Sequence, residues 1–383
     1  MFTALFFILV FILSVWVYRS IRSLSELSQA PILKLSAENT RNGKVTVLIP
    51  AKNEEKNIEN CVRPFLEQLR EGDEIIVVNN CSEDKTEQIL KELGASEIPF
   101  GGTPKDPAAS LKYLNTPKTP DGWTGKNFAL HLGIFYASGD WLLFTDADTR
   151  HQIGSLNAAI SFAEKNRLDF LTLFPRCLAH GFWENLIQPC AMGYMGLWFP
   201  IRKVNDPASN VYFGNGQYLL IKHEHYQRIG GHAEVKEAFL EDFAMMKKTK
   251  ECGARGMCGF GMDVYGTRMY DSFDSLWKGW RRIFLHAFEQ KPMRILNAAT
   301  SVLCFSVLPF FLAILAFKNN SLMLDLTAFL TLGIILATAF KTHAIVKARK
   351  SAAIFHPLAA AVFFLILLDA LRIAVLKRPT YWR

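Results

Sequence analysis

Long apolar stretches at both ends of the chain constrain its fold more than any other feature. Residues 2–18 carry no charge and almost all of 295–376 is apolar, whereas 19–294 has the mixed composition of a soluble protein. Stretches of about 17–25 apolar residues are long enough to cross a bilayer as helices. The chain is 50% apolar and 20% charged, which excludes both a disordered chain and a transporter made only of membrane helices. The sequence therefore predicts a soluble domain with membrane segments on either side.

The N-terminal stretch has two interpretations, a cleaved signal peptide and a permanent anchor. A signal peptide needs basic residues before its apolar core, and no Lys or Arg precedes Arg19. An anchor over residues 1–20, with Arg19 and Arg22 on the cytoplasmic side, follows the positive-inside rule. We expect the anchor.

Three further apolar segments, 296–317, 322–340 and 352–376, predict about three membrane helices within 295–376. The connecting loop 341–350 carries four basic residues and is expected to be cytoplasmic. In the last segment Asp369 and Arg372 are spaced for pairing on one helix face. If this segment crosses, the basic tail 377–383 lies outside, against the positive-inside rule. A re-entrant or interfacial helix is therefore the alternative.

The charge of the chain favours a membrane partner over nucleic acid. The 43 Lys and Arg against 35 Asp and Glu give a net charge of +8. These basic residues gather beside the apolar segments rather than on a face interleaved with aromatic residues. This pattern predicts contact with anionic lipid and no nucleic-acid partner.

The soluble segment alternates predicted strands with predicted helices. Residues 45–49, 74–78 and 141–144 are apolar runs typical of strands, and helical periodicity follows the polar turns after the first two. Residues 99–122 contain five prolines and are predicted to form a loop. This alternation predicts an α/β fold with an open, mainly parallel sheet, whose ligands bind beyond the carboxyl ends of the strands.

Two aspartates, Asp146 and Asp148, stand directly after the predicted strand 141–144. Two carboxylates spaced by one residue at the end of a strand are able to face one divalent cation. Hard cations such as Mg²⁺ and Mn²⁺ take oxygen ligands and bridge carboxylates to a diphosphate. The alternative, a solvated acidic turn, is less consistent with the strand that precedes it. We predict a metal site.

At these residues the chain resembles the family 2 glycosyltransferases. Residues 47–55 are similar to the family's first strand and turn, 77–86 to its second, and 146–148 to its metal motif. Residues 214–231 followed by Glu241 and Asp242 resemble its acceptor-side segment and catalytic acid. Residues 123–126 and 279–280 further resemble the hopanoid-associated and carotenoid glycosyltransferase branch.

The resemblance implies a GT-A fold over residues 44–290 that binds a nucleotide-sugar, usually a UDP-sugar, and inverts the anomeric carbon. It places one set of side chains around the donor and its metal, namely Ala51, Glu54, Asn80, Asp146 and Asp148. It also makes Asp242, with Glu241 beside it, the general base that deprotonates the acceptor hydroxyl. The alternative for this acidic pair is a helix start that uses acids against the helix dipole.

Four further residues have predicted roles. We expect Lys126 near the diphosphate and Gln217 at the acceptor site, although each has a structural alternative. Trp280 and Arg281 either contact the diphosphate or acceptor, or seat a helix on the membrane. The aromatic segment 183–200 is either a buried core helix or an interfacial helix beside the active site.

The chain departs from the family pattern at two places, which bear on the donor base and on processivity. The second strand ends in Asn79 and Asn80 rather than in acids, which weakens the preference for uridine. Residues 277–282 lack the Gln-x-x-Arg-Trp pattern of processive members, so a single transfer is expected. We expect a bacterial cell-membrane enzyme with a cytoplasmic catalytic domain and a lipid-like hydroxyl acceptor. The alternatives are transfer to a polyprenyl phosphate and a non-catalytic membrane scaffold.

Overall fold

A computed structural model describes residues 2–35 and 41–377, which group into two compact units. The sheet unit holds residues 31–35, 41–176 and 201–268. The helical unit holds 2–30, 177–200 and 269–377. Because the units interleave along the chain, the domain limits 1–20, 44–290 and 295–376 stay a prediction. The basic tail from 378 onward lies outside the described residues.

The secondary structure consists of eleven strands and fourteen α-helices among the described residues. The strands are β1 (Val45–Ala51), β2 (Glu74–Asn79), β3 (Ser96–Ile98), β4 (Leu111–Asn115), β5 (Trp141–Phe144), β6 (Thr149–His151), β7 (Phe170–Phe174), β8 (Arg176–Cys177), β9 (Leu219–Lys222), β10 (Gly256–Phe260) and β11 (Tyr265–Thr267). The helices are α1 (Phe2–Gln29), α2 (Ile58–Leu66), α3 (Thr86–Glu92), α4 (Gly125–Ile134), α5 (Ser155–Lys165), α6 (Phe182–Trp198), α7 (Ile201–Asn205), α8 (His223–Arg228), α9 (Glu241–Glu251), α10 (Phe273–Ala287), α11 (Pro292–Val302), α12 (Leu308–Phe317), α13 (Leu322–Ile345) and α14 (His356–Leu376). Short 3₁₀ segments lie at Gly231–Val235 and Lys350–Phe355, and a π-helical turn at Leu303–Val307.

The large sheet confirms the predicted mainly parallel α/β architecture. Its eight strands lie in the order β10-β7-β9-β5-β1-β2-β4-β3. β9 runs antiparallel to both of its neighbours, and the other described strand pairs of this sheet are parallel. Six of the seven residues of β1 are buried, as expected for a central strand covered on both faces. β6 and β11 pair antiparallel in a second, smaller sheet.

The prediction of a loop over 99–122 is wrong at β4. This strand lies between β2 and β3 in the sheet, and four of its five residues are buried. Its Lys112 forms a buried ion pair with Glu74 of β2, with Nζ 2.8 Å from Oε2. A five-residue strand among prolines has too little pattern to reveal itself, because its pairing with β2 comes from a distant part of the chain.

The helical unit contains four stretches long and apolar enough to span a membrane, namely Thr3–Gln29, Pro292–Phe317, Leu322–Ile345 and Lys350–Leu376. α1 contacts α13 through polar as well as apolar groups, since the hydroxyls of Ser20 and Thr338 lie 2.8 Å apart. The predicted pair on α14 is confirmed, with Arg372 2.7 Å from Asp369. Which of these helices cross, including the last, stays a prediction.

Helix α6 belongs to the helical unit, although its sequence lies between two parts of the sheet unit. Its Tyr194 hydroxyl lies 2.6 Å from Ser306 Oγ, and Asn185 Oδ1 accepts a 3.1 Å hydrogen bond from the backbone N–H of Arg349. Ten of its 17 residues are buried. α6 is therefore buried among the helices of its own unit, and its relation to a membrane surface stays a prediction.

Candidate active site

One edge of the large sheet collects the polar turns that the sequence singled out. In the parallel register Ala51 at the end of β1 is opposite Asn79 at the end of β2, and Leu48 is opposite Phe144 at the end of β5. Antiparallel β9 begins where these strands end, because Leu219 pairs with Phe144. The segment that precedes β9 therefore reaches the same edge, which is where ligands bind in open α/β sheets.

The two aspartates after β5 form a tight turn. Thr149 closes it by donating from its backbone N–H and its hydroxyl to the carbonyl of Asp146, at 3.2 and 2.7 Å. Asp148 Oδ1 is buried and has no hydrogen-bond partner among the described residues. Burial, followed by the charges of Asp146 and Glu54, raises the pKa of Asp148 to about 8. A buried carboxylate oxygen without a partner, beside a second carboxylate, fits a divalent cation.

Lys126 links this turn to a second pair of carboxylates. It lies in the first turn of α4, which begins after Thr124, whose hydroxyl accepts from the backbone N–H of Asn127 as an N-cap. Its Nζ is 2.6 Å from Asp146 Oδ1 and 2.8 Å from Glu241 Oε1. Burial lowers the pKa of Lys126, but the two carboxylates outweigh it and the net pKa is raised. The ammonium is therefore charged at neutral pH.

Glu241 and Asp242 form the first turn of α9. Asp242 accepts two backbone hydrogen bonds, at 2.6 Å from Gly216 N–H and 2.8 Å from Phe243 N–H. Burial and the charge of Glu241 raise its pKa to about 7, while Lys126 and the two N–H groups oppose the rise. A carboxylate with a pKa near neutral pH fits the predicted general base, and that role of Asp242 stays a prediction.

The glycines before β9 allow this close packing. A Cβ added at Gly216 would lie 2.8 Å from Lys126 Nζ and 2.9 Å from Glu241 Oε1. One added at Gly214 would lie 2.3 Å from the backbone oxygen of Asp242. The first conflict involves side-chain tips that can move, and the second involves backbone that cannot move as easily.

Gly216→Ala is therefore expected to lower turnover at this site roughly 10–100-fold by separating Lys126 from Glu241, with little loss of stability. Gly214→Ala is expected to destabilise the fold by about 1–3 kcal/mol, as overpacking does. Thermal unfolding and turnover of both variants check this difference. Gly196→Ala is the control, because no atom lies within 4 Å of its added Cβ. Equal loss of stability in Gly214→Ala and Gly216→Ala would contradict the argument.

Gln217 lies at this edge, but the residue is buried. Its backbone oxygen accepts from the Thr145 hydroxyl at 2.8 Å, and its Nε2 is 3.4 Å from Thr267 Oγ1. The residue is 8% exposed. Its predicted contact with an acceptor stays a prediction.

The three residues predicted around the nucleoside lie together on the β1–β2 side of the edge. The backbone N–H of Asn80 donates to the carbonyl of Ala51 at 2.8 Å, and Asn80 Oδ1 accepts from the Thr116 hydroxyl at 3.0 Å. Glu54 accepts a 2.8 Å hydrogen bond from the Asn57 amide. Burial raises the pKa of Glu54. These contacts give the Asn80 amide a defined orientation.

Trp280 and Arg281 lie on α10 in the helical unit, not in the sheet unit. Trp280 is 2% exposed and stacks on Phe284. Arg281 donates to Asp369 of α14 at 2.9 Å, and the indole N–H of Trp277 donates to the same carboxylate at 3.0 Å. Sequence reasoning missed this role of Asp369. A contact of Trp280 or Arg281 with substrate stays a prediction.

Sequence reasoning also missed His151 and Asn127. His151 is buried beside the aspartate turn, where its Nε2 lies 2.9 Å from the Thr149 hydroxyl. Burial lowers its pKa to about 3, so the ring is neutral and supports the turn. Asn127 is buried directly after Lys126. No local pattern marks either side chain, because both are identified by contacts with distant residues.

Comparison with known proteins finds consistent similarity to glycosyltransferases over part of the chain. Residues 46–185 match the model of "Glycosyl transferase family 2". A 4,4'-diaponeurosporenoate glycosyltransferase of Staphylococcus haemolyticus is 26% identical over 256 residues, which are 65% of this chain and 64% of that protein. The protein of the same name from Staphylococcus aureus strain USA300 is 24% identical over 259 residues, which are 65% and 63% of the two chains. The match thus spans less than two thirds of these relatives' length. The predicted resemblance, including its carotenoid branch, is confirmed.

A solved structure confirms the predicted GT-A fold. The mannosyltransferase PcManGT from Pyrobaculum calidifontis, solved in complex with GDP-mannose and Mn²⁺, has a TM-score of 0.57 to this chain. The two sequences are 18% identical, and the likeness covers 98% of this chain and 100% of the other. At this identity the likeness establishes the fold alone.

Proposed function

We propose that this protein, in which residues 46–185 carry a family 2 glycosyltransferase domain, is a membrane-bound inverting glycosyltransferase. It moves one sugar from a nucleotide-sugar, with UDP-sugars as the first candidates, to a hydroxyl of a lipid-like acceptor. The observation that supports this best is the joining of two carboxylate pairs by one ammonium, since Lys126 contacts both Asp146 and Glu241. The pair that we propose to bind the metal and the pair that we propose to supply the base thus lie at one edge of the sheet.

Asp146 and Asp148 are the residues that would hold a divalent cation, Mg²⁺ or Mn²⁺. The buried, unpartnered Oδ1 of Asp148 supports this fit. Among the described residues no group of three or more His, Cys, Asp or Glu side chains is placed to hold a metal ion. A cation held there would need further ligands besides these two side chains. When bound, it neutralises charge that develops on the leaving diphosphate.

The protein's own groups account for the other parts of the transfer. Lys126 contributes a fixed positive charge at the aspartate turn, and the Asn80 amide offers hydrogen bonds to a base edge. Asp242 uses two lone pairs for the N–H groups of Gly216 and Phe243. A carboxylate has about four, so capacity remains to accept the proton of an acceptor hydroxyl. Direct attack by that hydroxyl opposite the leaving diphosphate inverts the anomeric carbon.

An ionised acceptor is the second candidate. The Staphylococcus relatives are named for 4,4'-diaponeurosporenoate, a carboxylate by its name. A carboxylate or a polyprenyl phosphate is a nucleophile that needs no strong base. Strong dependence on Asp242 favours a hydroxyl acceptor, and weak dependence favours an ionised one.

The test is release of nucleoside diphosphate by purified protein in native lipid extract. UDP-, GDP- and dTDP-sugars are supplied with Mn²⁺ or with EDTA. Metal-dependent release with one donor, coupled to a labelled lipid product, supports the proposal. Binding of the same donors without release or transfer would favour the non-catalytic scaffold instead.

The proposed location is the bacterial cell membrane, with the sheet unit on the cytoplasmic side. Cys81 and Cys252 are exposed in that unit and provide native probes. An impermeant thiol reagent is expected to label them in inside-out vesicles and to leave them unlabelled in intact spheroplasts. A variant with serine at both positions identifies their contribution. Labelling in intact spheroplasts would reverse the orientation.

A further inference from the structure

The side chain of Asn127 makes an unusual set of contacts at the start of α4. It is 0% exposed. Its Nδ2 lies 2.8 Å from the carbonyl oxygen of Val235, 3.1 Å from that of Lys236 and 3.0 Å from that of Ala238. One amide nitrogen thus gathers three backbone carbonyls from a segment more than 100 residues away along the chain.

The orientation of this amide is unambiguous. If it were flipped, its oxygen would face the three carbonyl oxygens and could accept no hydrogen bond from them. In the arrangement observed, Oδ1 is buried and has no hydrogen-bond partner in the described part of the chain. A buried oxygen left without a partner is costly. The residue is therefore suited to this place by its two N–H donors rather than by its oxygen.

The segment that Asn127 holds leads directly into the acidic pair. Residues 236–240 connect the 3₁₀ turn to α9, whose first two residues are Glu241 and Asp242. The backbone N–H of Thr124 adds a further 2.9 Å hydrogen bond to the carbonyl of Lys236. Asn127 is also the neighbour in sequence of Lys126, which contacts Glu241. One turn of α4 thus carries both the ammonium of Lys126 and the amide of Asn127, which holds the segment that leads to the two carboxylates.

We propose that Asn127 is a positioning residue that holds the segment 235–240, and with it the start of α9, against Lys126. By this contact it sets the distance between the Lys126–Asp146 side of the site and Asp242. Its effect on turnover rests on the proposed function, whereas its effect on the segment does not. It touches no reacting atom, so its expected influence is on the rate of transfer and not on donor binding.

The first test follows the segment itself by hydrogen exchange in the full-length protein. Three variants separate donation from packing, because Asn127→Ala removes the side chain, Asn127→Leu keeps a branched side chain without donors and Asn127→Asp keeps the shape but replaces donors with acceptors. We expect all three to speed amide exchange within 235–243 at least roughly tenfold, with Asp the fastest because a carboxylate would face three carbonyls. Asn166→Ala is the matched control, since Asn166 also donates its amide to a carbonyl, that of Phe162, in α5.

The second test is kinetic and distinguishes hydrogen-bond donation by Asn127 from a role in filling space. We expect kcat to fall roughly 10–100-fold, with Asn127→Asp slower than Asn127→Ala. The KM for the donor is expected to stay within about threefold. A space-filling role predicts instead that Asn127→Asp, which keeps the shape of the side chain, is close to the native protein and that Asn127→Ala is more impaired than it. That order, or exchange within 235–243 unchanged in both Ala and Leu, would overturn the proposal. If the native protein transfers no sugar, the exchange result alone decides, and the failure is that of the proposed function.

Discussion

Asp242→Asn is expected to lower kcat for transfer to a hydroxyl acceptor at least roughly 10³-fold, with little change in the KM for the donor. The reason is that an amide cannot take a proton, and removal of a general base typically costs about 10²–10⁴ in rate. The substitution preserves the shape of the side chain, and its single oxygen can still accept from one of the two backbone N–H groups of Gly216 and Phe243. Steady-state release of nucleoside diphosphate in lipid extract measures the effect.

The same carboxylate predicts the pH dependence of turnover. The pKa of Asp242 is raised to about 7 by burial and by Glu241, against the opposing influence of Lys126 and the N–H groups of Gly216 and Phe243. The base is active when ionised, so kcat is expected to fall as the pH drops below about 7. Near-native activity of Asp242→Asn with an acidic limb unchanged would instead indicate an acceptor that is already ionised.

The stability of the folded protein is expected to change with pH in the direction opposite to turnover. Because the pKa of Asp242 in the folded protein lies above its ordinary value of 3.8, the folded state binds this proton more tightly than the unfolded state does. This group therefore stabilises the fold least above pH 7, after ionisation. Asp242→Asn removes this ionisation, so its free energy of unfolding relative to that of the native protein is expected to rise by about 1–3 kcal/mol between pH 5 and pH 8. Thermal unfolding of both proteins at the two pH values checks that the difference is larger at pH 8.

Asp148→Asn is expected to abolish metal-dependent turnover, again by roughly 10³-fold or more. Asp148 presents a buried oxygen without a partner among the described residues, and a neutral amide is a much weaker ligand for a hard cation. The loss of a cation at the diphosphate removes several kcal/mol of transition-state stabilisation. Mn²⁺ titration of donor binding measures the effect directly, and EDTA is expected to have no further influence on the variant.

Two comparisons make the Asp148 result specific. Asp106→Asn is the matched control, because Asp106 lies in an exposed loop and accepts from the backbone N–H of Ala108. It is expected to behave as the native protein. Retained Mn²⁺-dependent donor turnover in Asp148→Asn, with native stability, would remove the aspartate turn from the proposed metal site.

The fold class was predictable because its signals are local. Apolar runs such as those of β1 and β2, followed by polar turns and helical periodicity, are visible within about ten residues. The long apolar stretches are likewise independent of their surroundings. The short strand β4 was not predictable, because five residues among prolines become a strand only by pairing with β2. The antiparallel direction of β9 was equally hidden, since it depends on the strands on either side.

The candidate site likewise combines features that the sequence indicates with features that only the tertiary structure reveals. The sequence by itself determined that Asp146 and Asp148 follow a buried strand, and resemblance to a family indicated Glu241 and Asp242. Only the tertiary structure decided that Lys126 contacts Asp146 and Glu241, and that the amide of Asn127 holds the segment before α9. The physical reason is distance along the chain. A strand or a turn depends on near neighbours, whereas an ion pair between residues 126 and 241 exists only because the order and direction of the strands bring their ends together.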